Sequence, residues 1–380
     1  MVITTIICAF LTLSYLLLVM LYMKGWKLQQ EFRVPPGYEP HTFISVIVPA
    51  RNERDNIGAC IDGILAQKYP AGLMEVIVVD DHSEDNTAEI VSEYHDERVR
   101  CIRLADYIQP GLKVNAFKKA ALTAGIKESR GSLIVTTDAD CIAPNLWLLN
   151  MAGLYELRNP AMIVAPVIFS GSLGILNKFQ LIDFMGMQGI TAATHSMKLG
   201  NMSNGANLAF SKAIFNEVNG YEGVEHLASG DDYLLMMKIA RVPAARIAYL
   251  KSPNAIVTTL PQPDWASFLQ QRIRWASKSG KYDDKRLTAI LMLVYLFNVA
   301  IVGLGIAGFA NHWYWLVAGS MLLLKTITEY IFMIPVAAFF RKQWTQVYFP
   351  ILQPLHVLYI VLAGFLGIVG NYKWKDRKVK

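Results

Sequence analysis

The chain has 380 residues, 53% of them hydrophobic and 17% charged, with a formal net charge of +6. That is room for one large domain and something more, since a single core rarely grows beyond about 250–300 residues. The Lys and Arg residues form no stripe interleaved with aromatics, which argues against nucleic acid as a partner. Cys8, Cys60, Cys101 and Cys141 show neither paired nor metal-ligand spacing, which fits a reduced, cytosolic setting.

Residues 2–23, "VITTIICAFLTLSYLLLVMLYM", carry no charge and precede Lys24, Lys27 and Arg33. Their length is that of a membrane-spanning helix of about 20 residues, so 1–26 is expected to be a retained anchor. A cleaved signal peptide is disfavoured, because no basic stretch comes before the run and no small-x-small pattern after it. The basic cluster puts the following segment on the cytoplasmic side, with Met1 outside. The positive balance fits either contact with anionic lipid or the ordinary basic flank of membrane helices.

Residues 40–287 are mixed in polarity and are expected to form a soluble, cytoplasm-facing domain. "FISVIVP" (43–49) reads as a strand and 51–67 as a helix; 74–81, 99–104 and 132–140 read as further strands, with helices over 86–94 and 116–129 between them. This alternation predicts an α/β fold with a doubly wound, mostly parallel sheet covered on both faces. Ligands of such sheets bind outside the carboxyl ends of the strands. There the sequence has "PARNE", "DDHSEDN" and "DADC", so acids and polar groups from several strands are expected to converge on one crevice.

A stretch over 264–282 is amphipathic and expected to lie at the membrane interface. Three apolar segments, 288–310, 313–340 and 346–370, then make a C-terminal membrane region, followed by a basic tail over 371–380. Three crossings begun in the cytoplasm would leave that tail outside, so one segment is expected to be re-entrant or interfacial. Pro350, Pro354 and His356 point to 346–370. Lys325 and Glu329, four apart in an apolar helix, are expected to neutralise one another as a structural pair.

Six stretches in order, "VIVPARNE", "VIVVDDHSEDNT", "FKKAALTAGIKESRGSLIVTTDADC", "NGANLAF", "GDDYLL" and "QQRIRW", resemble the motifs of family 2 glycosyltransferases. These are inverting GT-A enzymes that include the cellulose, hyaluronan and ceramide-glucosyl synthases, and the resemblance spans about residues 43–276. It implies a nucleotide-sugar donor, expected to be a UDP-sugar, and a divalent cation, Mg2+ or Mn2+. Hard cations take carboxylate oxygens, and two acids spaced i, i+2 at a strand end share one side, so Asp138 and Asp140 are the expected metal and donor-site pair. The resemblance places Asp80 and Asp81 by the nucleobase and ribose, although the pair also reads as the cap of a helix beginning near Ser83. Pro49, Ala50, Asn52 and Glu53 would line the nucleotide pocket. Lys118 would reach a phosphate or uracil edge, with Lys119 and Lys113 as alternatives and a solvated helix face as the plain reading. Phe117 stands where relatives often carry Gly.

Inversion needs one base opposite the nucleotide. The resemblance assigns it to Asp232, supported by Asp231; both also read as the cap of the helix "YLLMMKIA". Gly205 and Asn207 would lie beside the acceptor. Gln271, Arg274 and Trp275 would close over the site, with Arg274 on the diphosphate and Trp275 stacked on the acceptor; Arg272 reads as an interfacial charge. The acceptor is expected to be a lipid entering from the bilayer, because enclosing a polymer takes more helices than the four candidates. A processive or short-chain polysaccharide synthase is the other enzymatic reading. A non-catalytic membrane scaffold would carry degenerate acids, and the acids are intact. A nucleotidyl transferase would need a Gly-rich loop after a strand, and none follows one.

Overall fold

The computed structural model describes residues 2–108, 115–171, 173–199, 202–227, 229–277, 284–369, 372–374 and 377–379. In chain order the elements are α1 (Val2–Leu28), β1 (Ile44–Ala50), α2 (Ile57–Leu65), β2 (Met74–Asp80), α3 (Thr87–Ser92), β3 (Val99–Arg103), α4 (Phe117–Glu128), β4 (Leu133–Thr136), α5 (Trp147–Arg158), β5 (Met162–Val164), β6 (Val167–Phe169) and α6 (Ile175–Met197). There follow β7 (Leu208–Ser211), α7 (Lys212–Glu217), α8 (Asp231–Ala240), β8 (Ile247–Tyr249), β9 (Val257–Thr259), α9 (Trp265–Ala276), α10 (Lys285–Ala307), α11 (His312–Phe339) and α12 (Phe349–Val369). Two three-residue strands, β10 (Tyr372–Trp374) and β11 (Arg377–Val379), pair antiparallel. The chain groups into two compact units. One comprises Gln29–Ser170 and Asn201–Leu260, the other Met1–Leu28, Gly171–Gly200 and Pro261–Lys380.

The first unit is built on a seven-stranded sheet of order β3-β2-β1-β4-β7-β5-β8. β3, β2, β1 and β4 are mutually parallel, as are β5 and β8, and β7 runs antiparallel to both β4 and β5. The sheet is therefore mostly parallel, as the alternation of strand and helix predicts. All seven residues of β2, "MEVIVVD", are buried, which is the mark of a strand covered on both faces. One of them is Glu75, fully excluded from solvent. It accepts from Ser45 Oγ at 2.6 Å and pairs with Arg100 at 3.0 Å and Arg130 at 3.1 Å. A buried carboxylate is tolerated only when paired and hydrogen-bonded in this way.

From β1 the chain steps outward to β2 and β3, then returns to lay β4 on the other side of β1. Strand order reverses there, and the crevice outside the carboxyl ends of β1 and β4 is where open α/β sheets bind ligands. The helix expected over 51–67 starts only at Ile57. Residues 51–56 instead form a turn in which Asn52 adopts a left-handed φ of 53°, and the backbone N–H groups of Asn52, Glu53 and Arg54 donate to Ser83, Thr87 and Asp85. Side chains of the β2–α3 loop thus take the donors that a first helical turn would leave open, and the loops after β1 and β2 are tied together.

In the second unit α1, α10, α11 and α12 are long and apolar enough to cross a membrane. α12 continues unbroken through Pro354. The sequence reading suggested no element over 175–197, yet α6 fills it. α6 packs on α1 and α11 through small residues: a Cβ on Gly25 would lie 2.6 Å from Ala193 O, and one on Gly189 2.8 Å from Val336. The expected interfacial helix is α9, which ends at Ala276; the expectation for 278–282 lies outside the described residues.

Candidate active site

Three loops of the sheet unit bring acids together. β4 ends at Thr136, short of the strand expected over 132–140, and Asp138 and Asp140 flank the buried Ala139 in a turn closed by Cys141 N donating to Asp138 O at 3.1 Å. Thr259 Oγ1 donates to Asp140 Oδ2 at 3.2 Å and Cys141 Sγ to Asp140 Oδ1 at 3.6 Å. Burial, then Asp138, then Glu53 push the Asp140 carboxyl up to about 6. Several carboxylates held close in a half-buried place carry more negative charge than the site itself neutralises, which is the electrostatic condition for a cation. The donor set is hard oxygen, matching magnesium or manganese rather than a soft metal. Burial first, and the neighbouring acids second, hold the Cys60 and Cys141 thiols up, so neither offers a thiolate. Among the described residues no three His, Cys, Asp or Glu side chains are arranged to hold a metal by themselves. The residues therefore fit a cation that takes only part of its coordination from the protein.

Lys118, in the first turn of α4, reaches into this group. Its Nζ donates to Asp138 Oδ1 at 2.5 Å and stands 3.7 Å from Asp231 Oδ2. Burial lowers the lysine, but Asp138, Asp231 and Asp232 outweigh it and keep the ammonium charged. Lys119 points elsewhere: its buried Nζ donates to the carbonyls of Val224 and Leu227. Lys113 lies outside the described residues. Phe117 packs edge-on against His82, with ring centroids 5.9 Å apart, and so joins α4 to the loop after β2 without displacing Lys118.

Asp80 and Asp81 end β2, both buried. Asp80 Oδ1 accepts from Ser83 N at 3.3 Å, and Asp81 Oδ1 meets His82 Nδ1 at 3.0 Å. Neither caps α3, whose N-cap is Asn86. Pro49 and Ala50 close β1 beside them: Pro49 pairs in register with Val79, Ala50 with Asp80, and Asp81 N donates to Ala50 O at 2.8 Å. Glu53 Oε2 accepts from Asn56 Nδ2, and the Asn52 side chain accepts from Glu84 N.

Asp231 and Asp232 occupy the first turn of α8, and the N-cap is Gly230 with a φ of 84° and no side-chain bond. Neither acid is the cap residue. Gly205 presses its backbone against the same group, since a Cβ there would lie 3.0 Å from Asp231 Oδ2, 3.5 Å from Lys118 Nζ and 3.7 Å from Asp232 Cβ. Asn207, two residues on, is 0% exposed. Its Nδ2 donates to Pro166 O and Ala255 O, and its Oδ1 accepts from Trp147 Nε1. Both amide N–H groups are occupied, so Asn207 ties β7 to its surroundings and has no donor for an acceptor molecule.

Gln271, Arg274 and Trp275 belong to the helical unit, on α9, each partly exposed. Arg272, read from the sequence as an interfacial charge, is instead buried at 3% exposure and paired with Asp183 of α6 at 2.7 Å. Thr259, which donates to Asp140, and Asp183 both escaped the sequence reading. Each is a single residue far along the chain from its partner, with no motif around it.

Residues 45–208 match the family model described as glycosyl transferase family 2. The matched stretch contains the Asp80–Asp81 and Asp138–Asp140 pairs, Lys118, Gly205 and Asn207. The chain is 28% identical over 190 residues to glycosyltransferase AglE of Haloferax volcanii, covering 50% of this chain and 59% of that one. It is 27% identical over 237 residues to a poly-beta-1,6-N-acetyl-D-glucosamine synthase of Staphylococcus epidermidis, covering 61% and 53% respectively. The chain thus spans between half and three-fifths of the relatives' length. Among solved structures, the mannosyltransferase PcManGT from Pyrobaculum calidifontis, in complex with GDP-Man and Mn2+, shares the fold with a TM-score of 0.55 at 19% identity, covering 93% of this chain and 98% of that one.

Proposed function

We propose that this protein is a membrane-embedded, inverting glycosyltransferase that moves a sugar from a nucleotide-sugar donor, a UDP-sugar in this reading, to a membrane-associated lipid. The observation that carries the proposal is Lys118 Nζ between Asp138 and Asp231, which joins an acid beyond the carboxyl end of β4, where such sheets bind ligands, to one in the first turn of α8. In this reading Asp80, Asp81, Pro49, Ala50, Asn52 and Glu53 hold the nucleoside. Asp138 and Asp140 would hold a divalent cation, Mg2+ or Mn2+, which when bound offsets the charge gathering on the leaving diphosphate. Lys118 contributes a second positive charge on that side, and Arg274 a third. Asp232 takes the proton of the attacking hydroxyl, and Asp231, beside Lys118, orients the turn that carries it. Gln271 and Trp275 act on the acceptor.

Lys24 and Lys27 at the end of α1, with Arg33 after it, support a cytoplasmic domain by the positive-inside rule. One observation favours a second reading, in which the acceptor is a growing polysaccharide: relatives at 27% identity are named poly-beta-1,6-N-acetyl-D-glucosamine synthases. The test is incubation of purified protein in lipid extract with radiolabelled UDP- and GDP-sugars, Mn2+ or Mg2+, and separation of products into lipid and polymer fractions. Label in the lipid fraction supports the proposal, label in polymer the second reading, and no transfer from any donor would return the scaffold reading.

A further inference from the structure

The helical unit contains a chain of buried polar groups that the catalytic reading does not use. Arg272 of α9 donates through Nε at 3.0 Å and Nη2 at 2.7 Å to Asp183 Oδ2, and Tyr359 of α12 donates to Asp183 Oδ1 at 2.6 Å. Arg272 and Asp183 are each 3% exposed. Burial alone would raise the Asp183 carboxyl, but Arg272, His356 and Tyr359 outweigh it and hold it at about 2. His356 Nε2 stands 3.5 Å from Asp183 Oδ1, while its Nδ1 lies 3.2 Å from Lys325 Nζ. Lys325, fully buried, donates to Glu329 and to Gln353 Oε1, and Tyr15 of α1 donates to Glu329. The pair foreseen within one helix turn is one end of a network that ties α1, α6, α9, α11 and α12.

At the α9 end, Arg272 touches two residues of the Gln271–Trp275 motif. Its Nη1 donates to Gln271 Oε1 at 2.7 Å, and its guanidinium lies over the Trp275 ring at 4.2 Å. With Nε and Nη2 fixed on a buried carboxylate, the plane of that guanidinium is set by Asp183, and the Gln271 and Trp275 side chains are set by the guanidinium.

We propose that Asp183 and Arg272 are positioning residues, which hold Gln271 and Trp275 in their working rotamers through the buried carboxylate–guanidinium pair. The inference rests on the proposed role of Gln271 and Trp275 in transfer only for its effect on activity; the orientation itself is measurable without turnover.

The experiment uses full-length protein in lipid nanodiscs labelled with 5-fluorotryptophan, with the Trp275 fluorine resonance assigned by Trp275→Phe. Asp183→Asn leaves Arg272 in place and touches neither motif residue, so a shifted or broadened Trp275 resonance is expected. Transfer should fall on the order of tenfold to a hundredfold with the donor KM unchanged, as for a misplaced binding group. Asp183→Glu, which keeps the charge, should restore both. In a Gln271→Ala/Trp275→Ala background, Asp183→Asn should add no further loss. An unchanged Trp275 resonance, or an equal loss in both backgrounds, overturns the proposal. If Asp183→Asn does not fold, Tyr359→Phe removes one bond to the same carboxylate with every charge kept, and an unmoved resonance there counts equally against it. A moved resonance with full transfer by Gln271→Ala and Trp275→Ala would uphold the positioning and refute the motif's proposed role.

Discussion

Replacing Asp232 by Asn separates proton transfer from helix support. The two residues are nearly isosteric, and the N-cap of α8 is Gly230, with no side-chain cap bond to lose. The stability at stake includes the favourable placement of a negative charge at a helix N-terminus, about 0.3–1 kcal/mol, and part of the attraction that Asp232 exerts on the Lys118 ammonium. A general base typically contributes about a hundredfold to ten-thousandfold, or about 2.7–5.4 kcal/mol of barrier. The rate effect should therefore exceed the stability effect several-fold. Donor binding should hold, because in the proposed arrangement Asp80, Asp81, Asp138 and Asp140 carry it. The assay is three measurements on one preparation: transfer of radiolabelled sugar, UDP binding by calorimetry, and the melting temperature. The expected result is parental UDP affinity, a melting temperature within a few degrees, and almost no transfer. Asp231→Asn should reduce transfer less, while weakening the hold on Lys118 that its carboxylate has at 3.7 Å. Normal turnover by Asp232→Asn together with inactive Asp231→Asn would move the base by one residue. Normal turnover by both would refute the reasoning and leave these acids as charges at a helix end.

Gly205→Ala places a methyl 3.0 Å from Asp231 Oδ2, with Lys118 Nζ at ordinary contact distance, 3.5 Å; displacing the Asp231 carboxylate by a few tenths of an ångström should cut transfer about tenfold while the melting temperature barely moves, as parallel transfer and melting measurements would reveal. Asp140 ionises near 6 in the fold against an ordinary 3.8, so cation-free protein binds the extra proton and its stability should decline as pH rises across that window. Asp140→Asn should remove that part of the slope in denaturant titrations and abolish Mn2+ binding measured by electron paramagnetic resonance. Glu75 behaves oppositely: burial raises it, but Ser45, the Arg130 N–H, Arg100 and Arg130 win and lower it, so its stabilisation is present above its unfolded value and lost as pH falls through the folded one. Glu75→Gln should destabilise the protein by about 1–3 kcal/mol, read from the urea midpoint, because Ser45 Oγ and the Arg130 N–H lose a charged acceptor inside the fold.

The central parallel strands β1, β2 and β4 were legible because each is a short, nearly unbroken apolar run, and burial on both faces demands that composition whatever its partner; β3, "VRCIR", at the sheet edge is only partly buried. The acids at their ends were legible for the same reason: Asp80, Asp81, Asp138 and Asp140 interrupt hydrophobic runs where a chain leaves the core. The membrane-length helices likewise declare themselves by uncharged length. What local pattern leaves open is which side chain faces which. Lys118 and Lys119 are adjacent and alike, and only the packing of α4 turns one to Asp138 and the other to the carbonyls of Val224 and Leu227. Asn207 looks as available as any asparagine after a glycine until Trp147, Pro166 and Ala255, distant in sequence, occupy its amide. Arg272 has the spacing of a surface charge, and it is Asp183, 89 residues earlier, that draws it inward. α6 has no recognisable signal because its buried face is matched to α1 and α11 rather than to its own neighbours in the chain. Hydrophobic periodicity is a property of consecutive residues and therefore readable from them; hydrogen bonds and ion pairs join residues that only the folded chain brings within 3 Å.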